Sequence, residues 1–299
     1  MPQLHFVTYD VFTDTAFAGN PLAVVFNADK LDDAAMQKIA REFNLSETTF
    51  VRRAKHAHHS VEVRIFTPAR ELPFAGHPTI GTAIALAERE HGAGKPKDVL
   101  LVLEEKVGPV RCGVKLGDGA SFAEFDTPKL AEEIGPGAGD AAVAAALGLD
   151  VRDIGFDRHI PSVFSAGVPY AFAPVASLDA LARAKPTAAF TPDALGADAV
   201  YVYARAAAHE AHAFRTRMFA PEIGIVEDPA TGSAVAAFAG VAHKFETPGE
   251  GWTQLPVLQG AEMGRPSLIG LEIEIADSKL SAARISGKAV KVSEGTITL

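Results

Sequence analysis

Apolar and polar side chains alternate in short segments throughout the chain, a pattern that predicts half-buried strands. The predicted strands of the first half are Leu4–Asp10, Pro21–Phe26, Thr48–Arg52, Val61–Phe66, Val99–Glu104, Val110–Lys115 and Ser121–Phe125. Those of the second half are Ser162–Phe164, Ala171–Pro174, Ala199–Ala204, Ala213–Phe219, Thr253–Gln259, Gly270–Ala276 and Ala282–Ser286.

Three segments have helical rather than alternating patterns. Leu31–Phe43 is amphipathic and carries Asp32 and Asp33 in its first turn, as helix starts often do. Thr79–Glu90 and Ala230–His243 are rich in small apolar residues and have no polar face for most of their length. A helix of that kind is buried on all sides. The two segments therefore indicate helices surrounded by strands.

An internal repeat relates the two halves of the chain. Arg64-Ile-Phe-Thr-Pro68 recurs as Arg217-Met-Phe-Ala-Pro221, and His77-Pro-Thr-Ile-Gly-Thr-Ala83 recurs as Asp228-Pro-Ala-Thr-Gly-Ser-Ala234. The two matches keep their order and have nearly the same offset, about half the chain length. Turn residues recur by chance in loops, but two ordered matches favour a duplication. The Gly- and Pro-rich segment Ile134–Gly139 is the predicted linker between the halves.

Length and composition narrow the class of protein. The chain has 299 residues, of which 48% are hydrophobic, so two domains with sizeable cores are expected. A net charge of −9 argues against nucleic acid and against an anionic membrane surface as partners. No secretory signal or membrane span is evident, so we expect a cytoplasmic protein. The single cysteine, Cys112, excludes an internal disulfide and a multi-cysteine metal site. The histidine clusters at 56–59 and 209–212 lie in predicted loops, and the second lacks the spacing of a zinc-protease helix, so we expect no metal.

The two repeated turns precede predicted helices, and this position has chemical consequences. The first N–H groups of a helix lack partners within the helix, and the helix dipole makes that end an anion site. His77 and Asp228 occupy equivalent positions and could donate and accept a proton from opposite sides of a substrate. Alternatively, Asp228 caps its helix and His77 bonds the neighbouring backbone. The two interpretations are compatible.

Several segments resemble the signature segments of the phenazine-biosynthesis PhzF-like family. They lie in order along nearly the whole chain, at Phe17–Val24, Asn44–Val51, Phe74–Ala83, Glu227–Ala234 and Gln259–Ser267. The resemblance implies an α+β, diaminopimelate-epimerase-like fold with two pseudo-symmetric domains, each a β-barrel-like sheet around a central helix. We expect one domain at 1–128 plus 290–299 and the other at 129–289. The resemblance also implies a homodimer.

The resemblance further implies a cofactor-independent isomerase or epimerase. Together with the anion sites at the two helix starts, it leads us to expect an isomerase that acts on a small anionic carboxylate. Glu47 matches the family's catalytic glutamate, which shuttles a proton between substrate carbons, and His77 and Asp228 are the other expected catalytic residues. Glu47 lies in an otherwise uncharged segment, where partial burial would raise the pKa of its carboxyl into a useful range. The substrate-binding residues that we expect lie in the same segments: Asn20, Ser46, Gly76, Thr231, Gly232 and Ser233.

Other functions remain open at the level of the sequence. A racemase that uses two thiols is excluded, because the repeated turns carry no cysteine. An epimerase of an amino or hydroxy acid that uses a carboxylate and histidine is an alternative to the isomerase. A catalytically silent ligand-binding protein of the same fold is another. The substrate itself, and any part in phenazine biosynthesis, are not determined by the residues.

Overall fold

The computed structural model describes residues 3–299, and they divide into two compact units. The first unit contains the described residues up to Pro128 together with Ser286–Leu299, and the second contains Lys129–Ile285. The domain boundaries expected from the sequence, 1–128 plus 290–299 and 129–289, remain a prediction. Among residues 3–299, no helix combines the length and the apolar character needed to cross a bilayer.

Both units contain strands and helices. Up to Pro128 the elements are β1 (Gln3–Val11), β2 (Asn20–Val25), α1 (Asp33–Phe43), β3 (Glu47–Arg52), β4 (Val61–Phe66), β5 (Glu71–Leu72), α2 (Gly76–His91), β6 (Lys97–Glu105), β7 (Gly108–Leu116) and β8 (Ser121–Asp126). The remaining elements are β9 (Glu132–Pro136), α3 (Asp140–Leu147), β10 (Ser162–Ser165), β11 (Pro169–Pro174), α4 (Leu178–Arg183), α5 (Pro192–Leu195), β12 (Val200–Arg205), β13 (Phe214–Ala220), β14 (Ile225–Asp228), α6 (Gly232–Glu246), β15 (Gly251–Gln254), β16 (Val257–Gln259), β17 (Ser267–Ala276) and β18 (Lys279–Thr298). Short 3-10 turns lie at Ala28–Lys30, Val151–Asp153 and Pro221–Ile223.

In the first unit, eight strands close around α2. The ring runs β1-β2-β3-β4-β6-β7-β8-β18 and closes where β18 pairs with β1. Every residue of α2 from Gly76 to Ala85 is buried, as its small apolar composition predicts. Gly81 permits the close approach, because a Cβ there would lie 2.5 Å from Leu22 Cδ2 and 2.7 Å from Val11 Cγ2. Outside the ring, α1 packs Met36 and Ile39 into a separate core.

In the second unit, the sheet runs β9-β10-β11-β12-β13-β16-β17, with β14 on β13 and β15 on β17. Helix α6 packs against β9, β10, β11 and β17, and it is buried over most of its length. A further layer is formed by α3, α4 and α5, whose apolar residues share a core with β10, β11 and β12. Each unit therefore wraps a sheet around one long buried helix.

Three predictions from the sequence need correction. The segment Ile134–Gly139 is not a linker, because β9 occupies its first part and pairs with β10. The predicted strand Thr253–Gln259 is two strands, β15 and β16, separated at Leu255-Pro256, since proline cannot donate to a continuing ladder. The predicted strand Ala282–Ser286 is part of a much longer strand, β18, whose pairing with β1 extends to Thr298 with one shift of register at Thr8/Tyr9.

Candidate active site

The starts of two parallel strands lie side by side in the first unit. Asn20 is the first residue of β2 and Glu47 is the first residue of β3, and the parallel register places Leu22 opposite Glu47. Asn20 is fully buried, whereas the Glu47 side chain is 13% exposed. Ser46 immediately precedes Glu47 and is half-buried. The starts of these two strands therefore bring together three residues that the sequence predicts for the site, Asn20, Ser46 and Glu47.

The first turn of α2 places His77 next to the starts of β2 and β3. Gly76 and His77 are the first two residues of the helix, which has no side-chain cap. The His77 ring is buried and donates a hydrogen bond to the backbone of Pro21, next to Asn20. Burial lowers the pKa of His77 to about 3, although the bond to Pro21 opposes that shift. His77 is therefore neutral at neutral pH.

The buried ring lies next to the Glu47 carboxyl. His77 Nε2 is 3.2 Å from Glu47 Oε2, but the angles at these atoms fall outside hydrogen-bond geometry. The contact is therefore a close approach and not an ion pair, since the ring is neutral. Because the ring donates to Pro21 through its other nitrogen, Nδ1, the Nε2 atom carries a lone pair. A protonated Glu47 carboxyl could donate to that lone pair after a small rotation.

Asp228 occupies the corresponding turn of the second unit. It is the last residue of β14, and α6 begins four residues later at Gly232. The N-cap position of α6 is Thr231, whose hydroxyl donates a short hydrogen bond to Asp228 Oδ2. As in α2, no side chain caps the first amides of the helix. The half-buried Asp228 carboxyl is thus held against the start of α6.

One buried amide side chain, that of Gln259, fixes this turn. Gln259 Nε2 donates to the carbonyl of Asp228 at 2.8 Å and to Thr231 Oγ1 at 3.0 Å. Its Oε1 accepts from the N–H of Thr231 at 3.1 Å and from the Tyr201 hydroxyl at 3.1 Å. Both donors and both acceptor positions of the amide are used. The backbone around Asp228 consequently has little freedom.

A tyrosine contacts the first turn of α6. The Tyr170 hydroxyl of β11 lies 2.8 Å from Ser233 Oγ, and the Tyr170 side chain is buried. Ser233 is half-buried and Gly232 is buried. A hydrogen bond from the phenol to Ser233 would leave the serine proton available to a bound anion.

Each repeated arginine forms a two-pronged ion pair near its turn. Arg217 donates from Nε and Nη2 to the two carboxylate oxygens of Glu227, both at 2.8 Å. Arg64 binds Glu71 in the same two-pronged manner. Glu227 directly precedes Asp228, so its ion pair ties the strand that carries Asp228 to β13.

The structure therefore assembles the predicted residues as two sets. Asn20, Ser46, Glu47, Gly76 and His77 meet in the first unit, and Asp228, Thr231, Gly232 and Ser233 meet in the second. The sequence did not predict roles for the side chains that support them: Gln259, Tyr201, Tyr170, Thr79 and Glu105. Gln259 and Thr79 lie in signature segments; the others come from strands whose patterns indicate burial alone.

Comparison with known proteins identifies the group to which this chain is related. The family model described as phenazine biosynthesis-like protein matches residues 9–295. The chain belongs to the phenazine biosynthesis-like family. It is an enzyme, an isomerase of that family, as several of its relatives are.

Two relatives of the phenazine biosynthesis-like family match over nearly their whole length. The chain is 49% identical to an uncharacterized isomerase of Mesorhizobium japonicum, covering 99% of both chains. It is 38% identical to trans-2,3-dihydro-3-hydroxyanthranilate isomerase of Pseudomonas aeruginosa, covering 97% of this chain and 98% of the relative. The sequence-based assignment to the family is confirmed.

A solved structure supports the fold of this family member. The PhzF-family phenazine biosynthesis protein of Bacillus anthracis matches with a TM-score of 0.86 at 26% identity, covering 100% of both chains. More distant solved epimerase and racemase structures share the architecture, at identities that show the fold alone. The expected diaminopimelate-epimerase-like fold is confirmed.

Proposed function

We propose that this isomerase moves a proton between carbon atoms of a small carboxylate substrate, with Glu47 as acid and base and without a cofactor. This proposal rests on the position of the Glu47 carboxyl beside a neutral imidazole whose Nε2 can accept a hydrogen bond. The Glu47 carboxylate would take a proton from one substrate carbon and return it to another. No atom is gained or lost in the two steps.

His77 would hold the proton on Glu47 between the two steps. A neutral ring with a lone pair at Nε2 stabilises the protonated carboxyl by accepting its hydrogen bond, without taking the proton. Positioned acid–base catalysis of this kind contributes roughly 10²–10⁴-fold to the rate. Asp228 would be the third catalytic residue.

The remaining predicted residues would bind the substrate. The uncapped first amides of α2, near Gly76, and of α6, near Gly232 and Ser233, suit a carboxylate. Asn20, Ser46 and Thr231 would bind the substrate through their polar side chains and would take no part in the proton transfer.

Deuterium exchange tests the proposal. The relative's substrate, trans-2,3-dihydro-3-hydroxyanthranilate, is the first candidate because its isomerase is 38% identical to this chain. Incubated with enzyme in D₂O, it should gain deuterium at a carbon position, and Glu47→Gln should abolish the exchange while retaining the circular dichroism spectrum. Glu90→Gln, in the exposed last turn of α2, is the matched control and should exchange normally.

The outcomes separate the alternatives. Full exchange by the Glu47→Gln variant would refute the role of Glu47. Inversion at the labelled carbon, with no shift of a double bond, would identify an epimerase instead. Saturable binding without exchange would indicate a silent ligand-binding protein. We also propose a homodimer, which sedimentation of the full chain tests.

A further inference from the structure

The duplication extends to two strands that the repeated motifs do not include. In the first unit, Val61 of β4 pairs in parallel with Leu103 of β6. In the second unit, Phe214 of β13 pairs in parallel with Val257 of β16. Val61 and Phe214 each lie three residues before the repeated arginine, so they are equivalent. Leu103 and Val257 are therefore equivalent as well.

Two residues farther along these strands are Glu105 and Gln259, and both contact a helix start. Glu105 Oε1 lies 2.7 Å from Thr79 Oγ1, in the first turn of α2. Gln259 bonds both the N–H and the hydroxyl of Thr231, the N-cap residue of α6. Glu105 is 7% exposed and Gln259 is fully buried. A carboxyl group thus takes the place in one unit that a carboxamide has in the other.

The hydrogen bonds of Thr79 determine the protonation state of Glu105. Thr79 Oγ1 lies 2.8 Å from the carbonyl of Ala75 and 2.7 Å from Glu105 Oε1, and a hydroxyl has one proton. A carbonyl can only accept, so the Thr79 proton goes to Ala75. The second contact then requires a proton from Glu105. An ionised Glu105 would leave two acceptors facing each other at 2.8 Å.

The surroundings of Glu105 agree with a neutral acid. Within residues 3–299, Glu105 Oε2 is buried without a hydrogen-bond partner. The neighbouring cation, Lys106, binds Glu71 instead. Burial raises the pKa of Glu105 to about 8. The titratable group that faces it is the buried Cys112 thiol of β7, whose pKa is raised by burial and by Glu105.

We propose that Glu105, as a neutral carboxylic acid, and Gln259 are equivalent positioning residues that fix the helix starts carrying His77 and Asp228. A protonated carboxyl and a carboxamide have nearly the same shape, and each presents a donor and an acceptor. Glu105 orders the N-cap carbonyl of α2 through Thr79, and Gln259 orders the backbone of Asp228 directly. The part of this proposal that concerns turnover rests on the proposed function; the protonation state of Glu105 does not.

The protonation state can be tested without substrate. A raised pKa in the folded state means that stability is lost as pH increases from the unfolded value, near 4.3, through about 8. Glu105→Gln removes this loss, so its thermal midpoint should gain several degrees on wild type between about pH 5 and about pH 8. The infrared band of a protonated carboxyl, present in wild type at neutral pH, should be missing from the variant.

The adjacent residue provides a matched control. Glu104 accepts the N–H groups of Lys55 and His56, which outweigh burial and lower the pKa of its carboxyl to about 2. Glu104→Gln should therefore leave the infrared band in place and should gain nothing on wild type as pH rises. A Glu105→Gln variant with unchanged infrared band and a constant difference in thermal midpoint would overturn the neutral acid.

The positioning role is tested by kinetics of the exchange reaction. Glu105→Gln should retain kcat and KM within about twofold, since the amide replaces the acid, whereas Glu105→Leu should lower kcat about tenfold or more with little change in KM. Below about pH 8, where Glu105 is itself neutral, Gln259→Glu should be active only while its new carboxyl is protonated. In that range its kcat should therefore fall with rising pH, whereas that of wild type should not.

Two results would refute positioning. One is a Glu105→Leu variant with wild-type kcat; the other is a Gln259→Glu variant whose pH profile matches wild type. Failure of the proposed function has a different signature, namely exchange that survives Glu47→Gln. If Glu105→Leu does not fold, the pH profile of Gln259→Glu decides the point.

Discussion

The Nε2 atom of His77 lies 3.2 Å from Oε2 of Glu47, and the histidine is neutral because it is buried. The ring is oriented by its bond to the backbone of Pro21, which belongs to the strand beside Glu47. The proposed catalytic carboxyl and a hydrogen-bond acceptor are thereby held together by the start of α2 and the starts of two strands. This relationship makes the role of His77 testable apart from that of Glu47.

Replacing His77 by phenylalanine should reduce kcat by roughly 10²-fold, because the protonated Glu47 carboxyl loses its acceptor. His77→Gln, whose side-chain oxygen can accept a hydrogen bond, should recover part of the loss. Steady-state kinetics of the deuterium exchange provide the measurement. Equal losses of kcat in the two variants would show that hydrogen-bond acceptance by Nε2 does not contribute to the reaction.

The same burial predicts how stability depends on acid pH. The pKa of His77 falls from its ordinary value, near 6.5, to about 3 in the folded protein, so the unfolded chain binds the proton more readily. The stability contributed by the neutral ring is complete above about pH 6.5 and declines as pH decreases toward 3, by up to about 1.4 kcal/mol per pH unit. Urea unfolding should show a smaller decline for His77→Gln. Parallel curves for the two proteins would contradict the assignment of a neutral buried ring.

Breaking the ion pair beside Asp228 should be costly. Arg217→Met leaves Glu227 without its partner and also removes the donors to the carbonyls of Leu181, Ala182 and Ala184. Loss of one partner of a largely buried pair costs about 3–5 kcal/mol of unfolding free energy. Arg152→Met is the control, since Arg152 is 84% exposed and its pair with Asp150 should contribute under about 1 kcal/mol. In chemical denaturation, Arg217→Met should therefore lose clearly more unfolding free energy than Arg152→Met. Similar losses in the two variants would count against a stabilising ion pair between Arg217 and Glu227.

Gly260 should not tolerate alanine. Its φ angle is +73°, and a Cβ would lie 2.6 Å from the carbonyl oxygens of Arg265 and Pro229. The left-handed backbone costs about 1–2 kcal/mol, and the clash with backbone about 1–3 kcal/mol more. Gly264 has a φ angle of +71° but open space around it, so Gly264→Ala should show the backbone cost alone.

The difference in unfolding free energy between the two glycine variants, measured by thermal or chemical denaturation, gives the cost of the clash. Because Pro229 follows Asp228, Gly260→Ala should also lower kcat for the exchange reaction, while Gly264→Ala should not. Identical stabilities would mean that the backbone around Pro229 moves aside freely.

The sequence was sufficient for the strands with clear alternation and for the two buried helices. Small apolar residues without a polar face leave a helix no surface to present to water, and α2 and α6 are buried as that rule requires. It was misleading at Ile134–Gly139, where glycine and proline indicated a linker and β9 pairs with β10 instead. Edge pairing of a short strand depends on a partner distant in the chain, which local composition does not encode.

The sequence by itself determined the family, the duplication and the identity of the residues in the repeated turns, because these are properties of residue order. Tertiary structure alone decided that His77 is neutral, that Nε2 faces Glu47, and that Glu105 of β6 contacts Thr79 of α2. Protonation states depend on burial and on which atoms meet, and both arise only when the chain is packed. The sequence assigned no role to the side chains that position Asp228, chiefly Gln259, because only the fold brings them to the turn.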